Sequence, residues 1–287
     1  VPVPDAAIER KEDRLREWFT RSAVGPRRTI DALDIGWGGV QRWATSIMPD
    51  LGSGRHLDFA CGYATFLAQL GWRFPDAELV GLNIDFRGAH ATAGDLLEQA
   101  GVGAELVEAD ARDMPFSDAS FDSATCFMGL QDIELAFGER GLLEALRESA
   151  RVLRPEGTLC LLDECSFERY ETLLRPLDVT IDMRDEHDLD VKWDRDTAEH
   201  AIRLYAEGWL EQKRLGQPGI PHSAGTDYAE RLRAEAESQL SEHGYYVPFG
   251  PVRVVVCRKA VDSLRGSPRN QLAGPAGSGH VERVSRG

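Results

Sequence analysis

Cysteine is scarce in this chain. There are five in 287 residues, at positions 61, 126, 160, 165 and 257, and no two form a CxxC pair. Most lie in apolar, strand-like runs, which favours buried free thiols in a reducing compartment over a disulfide scaffold or a zinc cluster. The seven histidines never fall at HxxxH or HExxH spacing, so no metal is expected. No apolar run approaches the ~18 residues of a membrane span. No basic, apolar leader opens the chain, so a cytoplasmic protein without membrane association is expected; Val1 in place of Met fits a processed, alternative or trimmed start. Basic charge is short as well: 33 Lys and Arg stand against 48 Asp and Glu, a net −15. That field repels phosphate backbones, which argues against a nucleic-acid partner and fits plain solubility. Internal repeats are absent.

What is present is a hydrophobic content of 42%, enough for one large α/β domain or a domain carrying an insertion. Residues 5–22 and 30–48 read as a helical lead-in. From there the pattern alternates. Apolar strands are expected at 56–60, 78–84, 104–109, 121–128 and 158–164, with helices at 65–72 and 88–99 and a helical face through Leu142, Leu146, Ala150 and Leu153. Strand–helix alternation with short loops implies a doubly wound, mostly parallel sheet, and the non-alternating apolar strands agree, since such strands are covered on both faces. Ligands of such sheets bind beyond the carboxyl ends of the strands, where the strand order reverses. The small-residue turn ACGYA (60–64) follows the first strand and belongs at that place.

After Glu164 the alternation breaks. Residues 166–226 contain a helix with Ala198, Ile202, Tyr205 and Trp209 on one face, then a Gly/Pro-rich loop, and read as a helical lid over the ligand edge. A helix through Ala229, Leu232, Ala236 and Leu240 follows, then GYYV and VRVVVCRK as an antiparallel strand pair. The domain plan is therefore a lead-in (1–50), a sheet domain in two pieces (51–165 and 227–261), the lid (166–226) and a polar, Gly/Ser-rich tail (262–287) expected to be disordered.

The segments HLDFACGYA, GLNID, VEADARDMPFSDASFD and ESARVLRPEGTLCL occur in an order and spacing that resembles the class I S-adenosylmethionine-dependent methyltransferases of the small-molecule type. The resemblance covers about residues 55–164 and, by topology, 228–260. It implies the Rossmann-like methyltransferase fold with seven strands, S-adenosylmethionine as cofactor and a small-molecule acceptor. In that family the turn after the first strand is Gly-x-Gly-x-Gly; here Ala60, Gly62 and Ala64 stand there with Cys61 between them, and a slightly wider turn is expected to take the extra methyls. Asp58 resembles the acid that orders the turn and approaches the cofactor's charged end. The acid that normally takes the ribose hydroxyls is replaced by Asn83, with Ile84 beside it and Asp85 as the fallback; an amide can accept from one hydroxyl and donate to the other. By the same resemblance Asp110 accepts from the adenine amino group, the Ala111 N–H meets a ring nitrogen and Trp37 lies over the cofactor; Phe127, at the end of the fourth strand, either lines the pocket or packs in the core.

For catalysis the family often carries a histidine a few residues after the fourth strand, and in MGLQDIE that position is Asp132. Asp132 is the first candidate to orient or deprotonate the acceptor, with an N-cap or solvated loop acid as its plain alternative. Glu164, past the fifth strand, and His222, in the lid loop, are the others. Trp193, Tyr205 and Trp209 could wall an acceptor, although aromatics at helical spacing are more often core. The leading expectation is methyl transfer to O, N or C of a small molecule. A non-catalytic methyltransferase-like binding protein is the alternative, and a nicotinamide-dependent dehydrogenase, which lacks its GxGxxG here, stands below that. Fold does not encode the acceptor, and a homodimer is left open.

Overall fold

The computed structural model describes residues 2–22, 38–86, 93–189, 191–261 and 281–282. Two lead-in helices, α1 (Asp5–Ser22) and α2 (Gly38–Ile47), precede the alternating part. That part runs β1 (Arg55–Phe59), α3 (Thr65–Arg73), β2 (Glu78–Asn83), α4 (Ala93–Ala100), β3 (Glu105–Glu108), β4 (Phe121–Phe127), α5 (Leu130–Val152) and β5 (Leu153–Asp163). Then come α6 (Phe167–Leu174), β6 (Val179–His187), α7 (Arg195–Gly216), α8 (Ser223–His243) and β7 (Val252–Lys259). A two-residue strand, β8 (Val281–Glu282), lies antiparallel on the edge of β3.

The spatial order is β6-β7-β5-β4-β1-β2-β3-β8. Neighbours among β1 to β5 are parallel, and β7 runs antiparallel to both β5 and β6, as the short β8 does to β3. The doubly wound, mostly parallel sheet expected from the alternation is present, and its order reverses between β1 and β4. Apolar clusters cover both faces. One joins α1, α2 and α3 to Cys160, Leu162 and Val254, and the other joins α5 and α6 to Leu57, Phe59 and Leu161. The lead-in is tied down by charge as well: buried Glu12 of α1 takes Arg42 of α2 and, at 2.7 Å, the Gln69 amide of α3, while Arg73 donates to the Val3 carbonyl at 2.7 Å.

Three readings of the sequence need correction. Residues 166–226 are not purely helical, because they hold β6, whose Val179, Ile181 and Met183 alternate with exposed residues. The strand sits at the open edge of the sheet, where charged side chains such as Asp182, Arg184 and Glu186 discourage further pairing. GYYV does not pair with VRVVVCRK. Tyr246 meets Trp193 in one bridge, and the antiparallel partners of β7 are β5 and β6. Pro248 and Pro251 lie between the two segments and cannot donate to a ladder. The helix before β5 starts earlier than its apolar stripe suggests, at Leu130, and bends at Gly138 (φ 69°, ψ −179°). Among the described residues no helix is long and apolar enough to cross a membrane.

Candidate active site

The carboxyl ends of β1, β2 and β3 open into a cavity of about 330 Å³, at the small end for a ligand site. The turn after β1 forms its floor. Ala60, Gly62 and Ala64 all hold left-handed backbone, with φ of 55°, 52° and 64°. For alanine that geometry costs about 1–2 kcal/mol per residue, a strain found mostly at functional turns. The extra methyl of Ala60 is not taken up by a wider turn. It occupies space left by Gly129, where an added Cβ would lie 2.7 Å from the Ala60 Cβ. At Gly62 an added Cβ would meet nothing within 4 Å, so the middle of the turn is bare backbone toward the cavity. The Cys61 thiol is turned down onto Gly81 of β2, and burial pushes its pKa well up; it packs as an inert core group.

Asn83, at the end of β2, joins two loops. Its Oδ1 accepts the Gly62 N–H at 3.4 Å and its Nδ2 donates to the Asp85 carbonyl at 2.7 Å. An amide has two donors and two lone pairs, so one of each remains. Ile84, Asp85 and Phe86 continue the wall. After β3, Asp110 and Ala111 border the same space. The Asp110 carboxylate is gripped by Arg112, whose backbone N–H reaches Oδ1 at 2.8 Å and whose guanidinium reaches Oδ2 at 2.6 Å. Partial burial pushes the acid up, but the Arg112 hydrogen bonds outweigh it and hold the pKa below its ordinary value. Arg112 in turn lies over the Phe137 ring, 3.5 Å from its centroid.

Across the cavity stands the first turn of α5. Buried Asp163, at the end of β5, accepts the Leu130 N–H at 3.0 Å and the Gln131 side chain at 2.6 Å, and so caps that helix. Asp132, one residue on, lines the cavity. Asp132 is exposed at the mouth of the cavity, and the protein atoms crowded around its carboxyl, with the nearby Asp163 charge second, raise its pKa to about 7. An acid in that range can hold or release a proton near neutral pH.

The wall over Asp132 comes from α7, through Glu211, Gln212 and Leu215. Gln212 Nε2 donates to the Asp132 carbonyl at 3.2 Å. One turn farther, a Cβ on Gly216 would fall 1.8 Å from the Ala136 carbonyl oxygen, so glycine alone lets the two helices meet this closely. The apolar stripe of α7 points the other way, into a separate cluster with Trp193, Ile202, Ala229 and Tyr246. Trp193 packs with Tyr205 and Phe249 in that cluster, and half-buried Trp209 stacks on Tyr228 at 4.8 Å; none of these aromatics lines the cavity.

Of the residues expected at the site, Ala60, Gly62, Asn83, Ile84, Asp110, Ala111 and Asp132 border one cavity. Asp58 lies fully buried at the foot of the turn. Phe127 is drawn into the core, stacked on Phe66 at 4.7 Å. Glu164 is spent elsewhere, accepting the Gly250 N–H at 2.6 Å, and His222 is exposed at the start of α8, away from the lining. Trp37 lies outside the described residues. Tyr63, Phe86, Ile133, Phe137 and the three residues of α7 join the lining without having been marked by a motif.

The methyltransferase domain family matches residues 57–161. A demethylmenaquinone methyltransferase of Roseiflexus castenholzii is 32% identical over 164 residues, which is 57% of this chain and 63% of that protein. The chain thus spans under two thirds of that relative's length. Among solved structures, the 4+2 cyclase SpnF superposes with a TM-score of 0.51 at 19% identity, over 80% of this chain and 82% of that one. A methyltransferase-like protein of Bacillus halodurans superposes with a TM-score of 0.50 at 15% identity, over 77% and 99%.

Proposed function

We propose that residues 57–161, which match the methyltransferase domain family, form a class I domain that binds S-adenosylmethionine, and that the chain transfers its methyl group to O, N or C of a small-molecule acceptor. One observation carries the proposal: three loops remote in sequence, at 60–64, 83–86 and 110–111, border a single cavity at the reversal of the sheet. The residues fit the cofactor. The bare turn at Gly62 admits a ligand against the backbone, Asn83 keeps one donor and one acceptor for a diol, and Asp110 presents an anionic acceptor at the far end.

When bound, S-adenosylmethionine supplies a methyl carbon already activated on sulfur, so the chain has mainly to align the acceptor and exclude water. In this reading the 60–64 turn receives the methionine end, Asn83 the ribose hydroxyls and Asp110 with Ala111 the adenine. Asp132 takes up the acceptor's proton on its carboxylate. Within 166–226, α7 serves as the lid, with Glu211, Gln212 and Leu215 closing the acceptor side. Demethylmenaquinone, the acceptor in the relative's name, heads the set of acceptors to try.

Titration of the purified protein with S-adenosylhomocysteine, followed by methyl-transfer assays on an acceptor panel, tests the proposal. Saturable binding at micromolar concentration is expected, and no binding at high micromolar concentration rejects it. Binding with no transfer to any acceptor favours the non-catalytic reading.

A further inference from the structure

Arg112 does not border the cavity, yet it touches both of its walls. Its guanidinium lies against Asp110 on one side, with Nε 3.0 Å from Oδ1 and Nη2 2.6 Å from Oδ2, while its backbone N–H reaches Oδ1 at 2.8 Å. The same guanidinium lies over the Phe137 ring, 3.5 Å from the centroid, well inside the range of a cation on an aromatic face. Asp110 and Phe137 both line the cavity, one after β3 and the other on α5. A partly exposed ion pair adds little by itself. A planar fork set between a carboxylate and a ring is held in one geometry.

The helix is bent where that contact forms. Directly after Phe137, Gly138 interrupts α5 with φ 69° and ψ −179°, a conformation open essentially to glycine alone. The bend brings the next turn close: a Cβ on Gly141 would fall 2.3 Å from the Phe137 Cβ and 3.3 Å from the Arg112 Cδ. Glycine at 138 and 141 therefore leaves room for the ring and the arginine stem together. α7 meets the ring as well, since a Cβ on Gly216 would lie 3.4 Å from Phe137 Cδ1.

This contact limits what Asp110 can still accept. A carboxylate offers about four lone-pair sites. The Arg112 N–H and Nε take the two on Oδ1, and Nη2 takes one on Oδ2, which leaves a single open direction on Oδ2. We infer that Arg112, seated on Phe137, is a positioning residue that makes Asp110 a single fixed acceptor, so that the cavity selects a purine with an exocyclic amino group over one with an oxo group. The inference rests on the proposed S-adenosylmethionine site and goes beyond it in assigning base selectivity to a residue that touches no ligand. An amino group donates into the open direction, whereas an oxo group meets it with lone pairs of its own. The oxo purine carries its hydrogen on the neighbouring ring nitrogen. A carboxylate free to turn would reach that N–H, and the Arg112 fork prevents the turn.

Calorimetric titration with S-adenosylhomocysteine and with its deaminated analogue, S-inosylhomocysteine, tests this on the wild type, Arg112→Ala, Arg112→Lys and Phe137→Leu. The wild type should prefer the amino form. Arg112→Ala should cut the ratio of the two affinities by about tenfold, the worth of one hydrogen bond to a charged group, mainly through tighter binding of the oxo form. Arg112→Lys keeps the charge and loses the fork, so its ratio should match that of Arg112→Ala. Phe137→Leu keeps an apolar side chain on the cavity, removes the ring beside the guanidinium and should cut the ratio by about threefold. An unchanged ratio in Arg112→Ala, or equal losses with both ligands, makes Arg112 merely structural and overturns the inference. A ratio that lysine preserves overturns the role of the fork, and one that Phe137→Leu preserves overturns the role of the ring. Each of these results leaves the cofactor reading standing. A wild type that binds neither ligand rejects that reading, and this inference falls with it.

Discussion

The two walls of the cavity are built differently. On the sheet side the surface is the turn backbone at Gly62 with the loop side chains Tyr63, Asn83, Ile84, Phe86 and Asp110, carried by strands whose register is set on both neighbours. On the helix side it is Asp132, Ile133 and Phe137 of α5 together with Glu211, Gln212 and Leu215 of α7, where Gln212 donates to the Asp132 carbonyl and Gly216 meets Ala136. The first wall cannot change without disturbing the core of the domain. The second can be retuned by side-chain exchange along α7. On the proposed reading the constant partner, the cofactor, meets the rigid wall, and the variable partner, the acceptor, meets the adjustable one.

That contrast breaks most visibly at Asp132. Asp132→Asn should lower kcat by about 10²–10⁴, the worth of a positioned proton transfer, while leaving S-adenosylhomocysteine affinity nearly intact. The wild-type rate should climb with pH through about 7 as the carboxyl ionises, and that limb should vanish in the variant. Equal losses in turnover and cofactor binding would make Asp132 structural and erase the division between the walls. On the sheet side the matching test is Gly62→Val. A branched side chain at φ 52° is strained, costing about 1–3 kcal/mol, and it projects into the cavity, so cofactor binding should fall by about 100-fold. Calorimetry reads this directly, and wild-type affinity would mean the ligand sits elsewhere.

The contrast also explains what the sequence disclosed. Residues 56–64, 83 and 110 could be located because a buried parallel strand leaves an apolar run, and its ligand turn leaves small residues after it. Asp132 could be located by its distance from the fourth strand. The α7 wall could not, because nothing local sets where Gly216 meets Ala136. One hint was available: Leu215 lies off the stripe of Ala198, Ile202, Tyr205 and Trp209, and an apolar residue off its helix's own stripe implies a second contact. The helical reading of 166–226 passes over Val179, Ile181 and Met183 for a similar reason. Their period of two is diluted by the charges that protect an edge strand.

Smaller effects sharpen the comparison. Asp110→Ala should weaken S-adenosylhomocysteine binding by about 1–3 kcal/mol, the range for a lost buried hydrogen bond to a charged group. Because Arg112 already spends most of the carboxylate's capacity, the loss should sit toward the lower end. Unchanged affinity would remove Asp110 from the rigid wall.

The smallest expected effect concerns how that wall came to tolerate alanine. Ala60→Gly relieves left-handed strain of about 1–2 kcal/mol but adds about 0.5–1 kcal/mol of unfolded-chain entropy, so net stability should rise by about 0–1.5 kcal/mol. Gly129→Ala faces no backbone penalty at φ −105°, yet its new Cβ would crowd the Ala60 Cβ at 2.7 Å and the Cys126 Sγ at 2.9 Å. Alone it should destabilise by about 1–3 kcal/mol, as overpacking does. In the Ala60→Gly background one of its two clashes is gone, so urea unfolding of the four proteins should return a favourable coupling of at least about 0.5 kcal/mol. Strict additivity would mean that Gly129 is set by Cys126 alone, and that the alanine turn holds its shape without help from the end of β4.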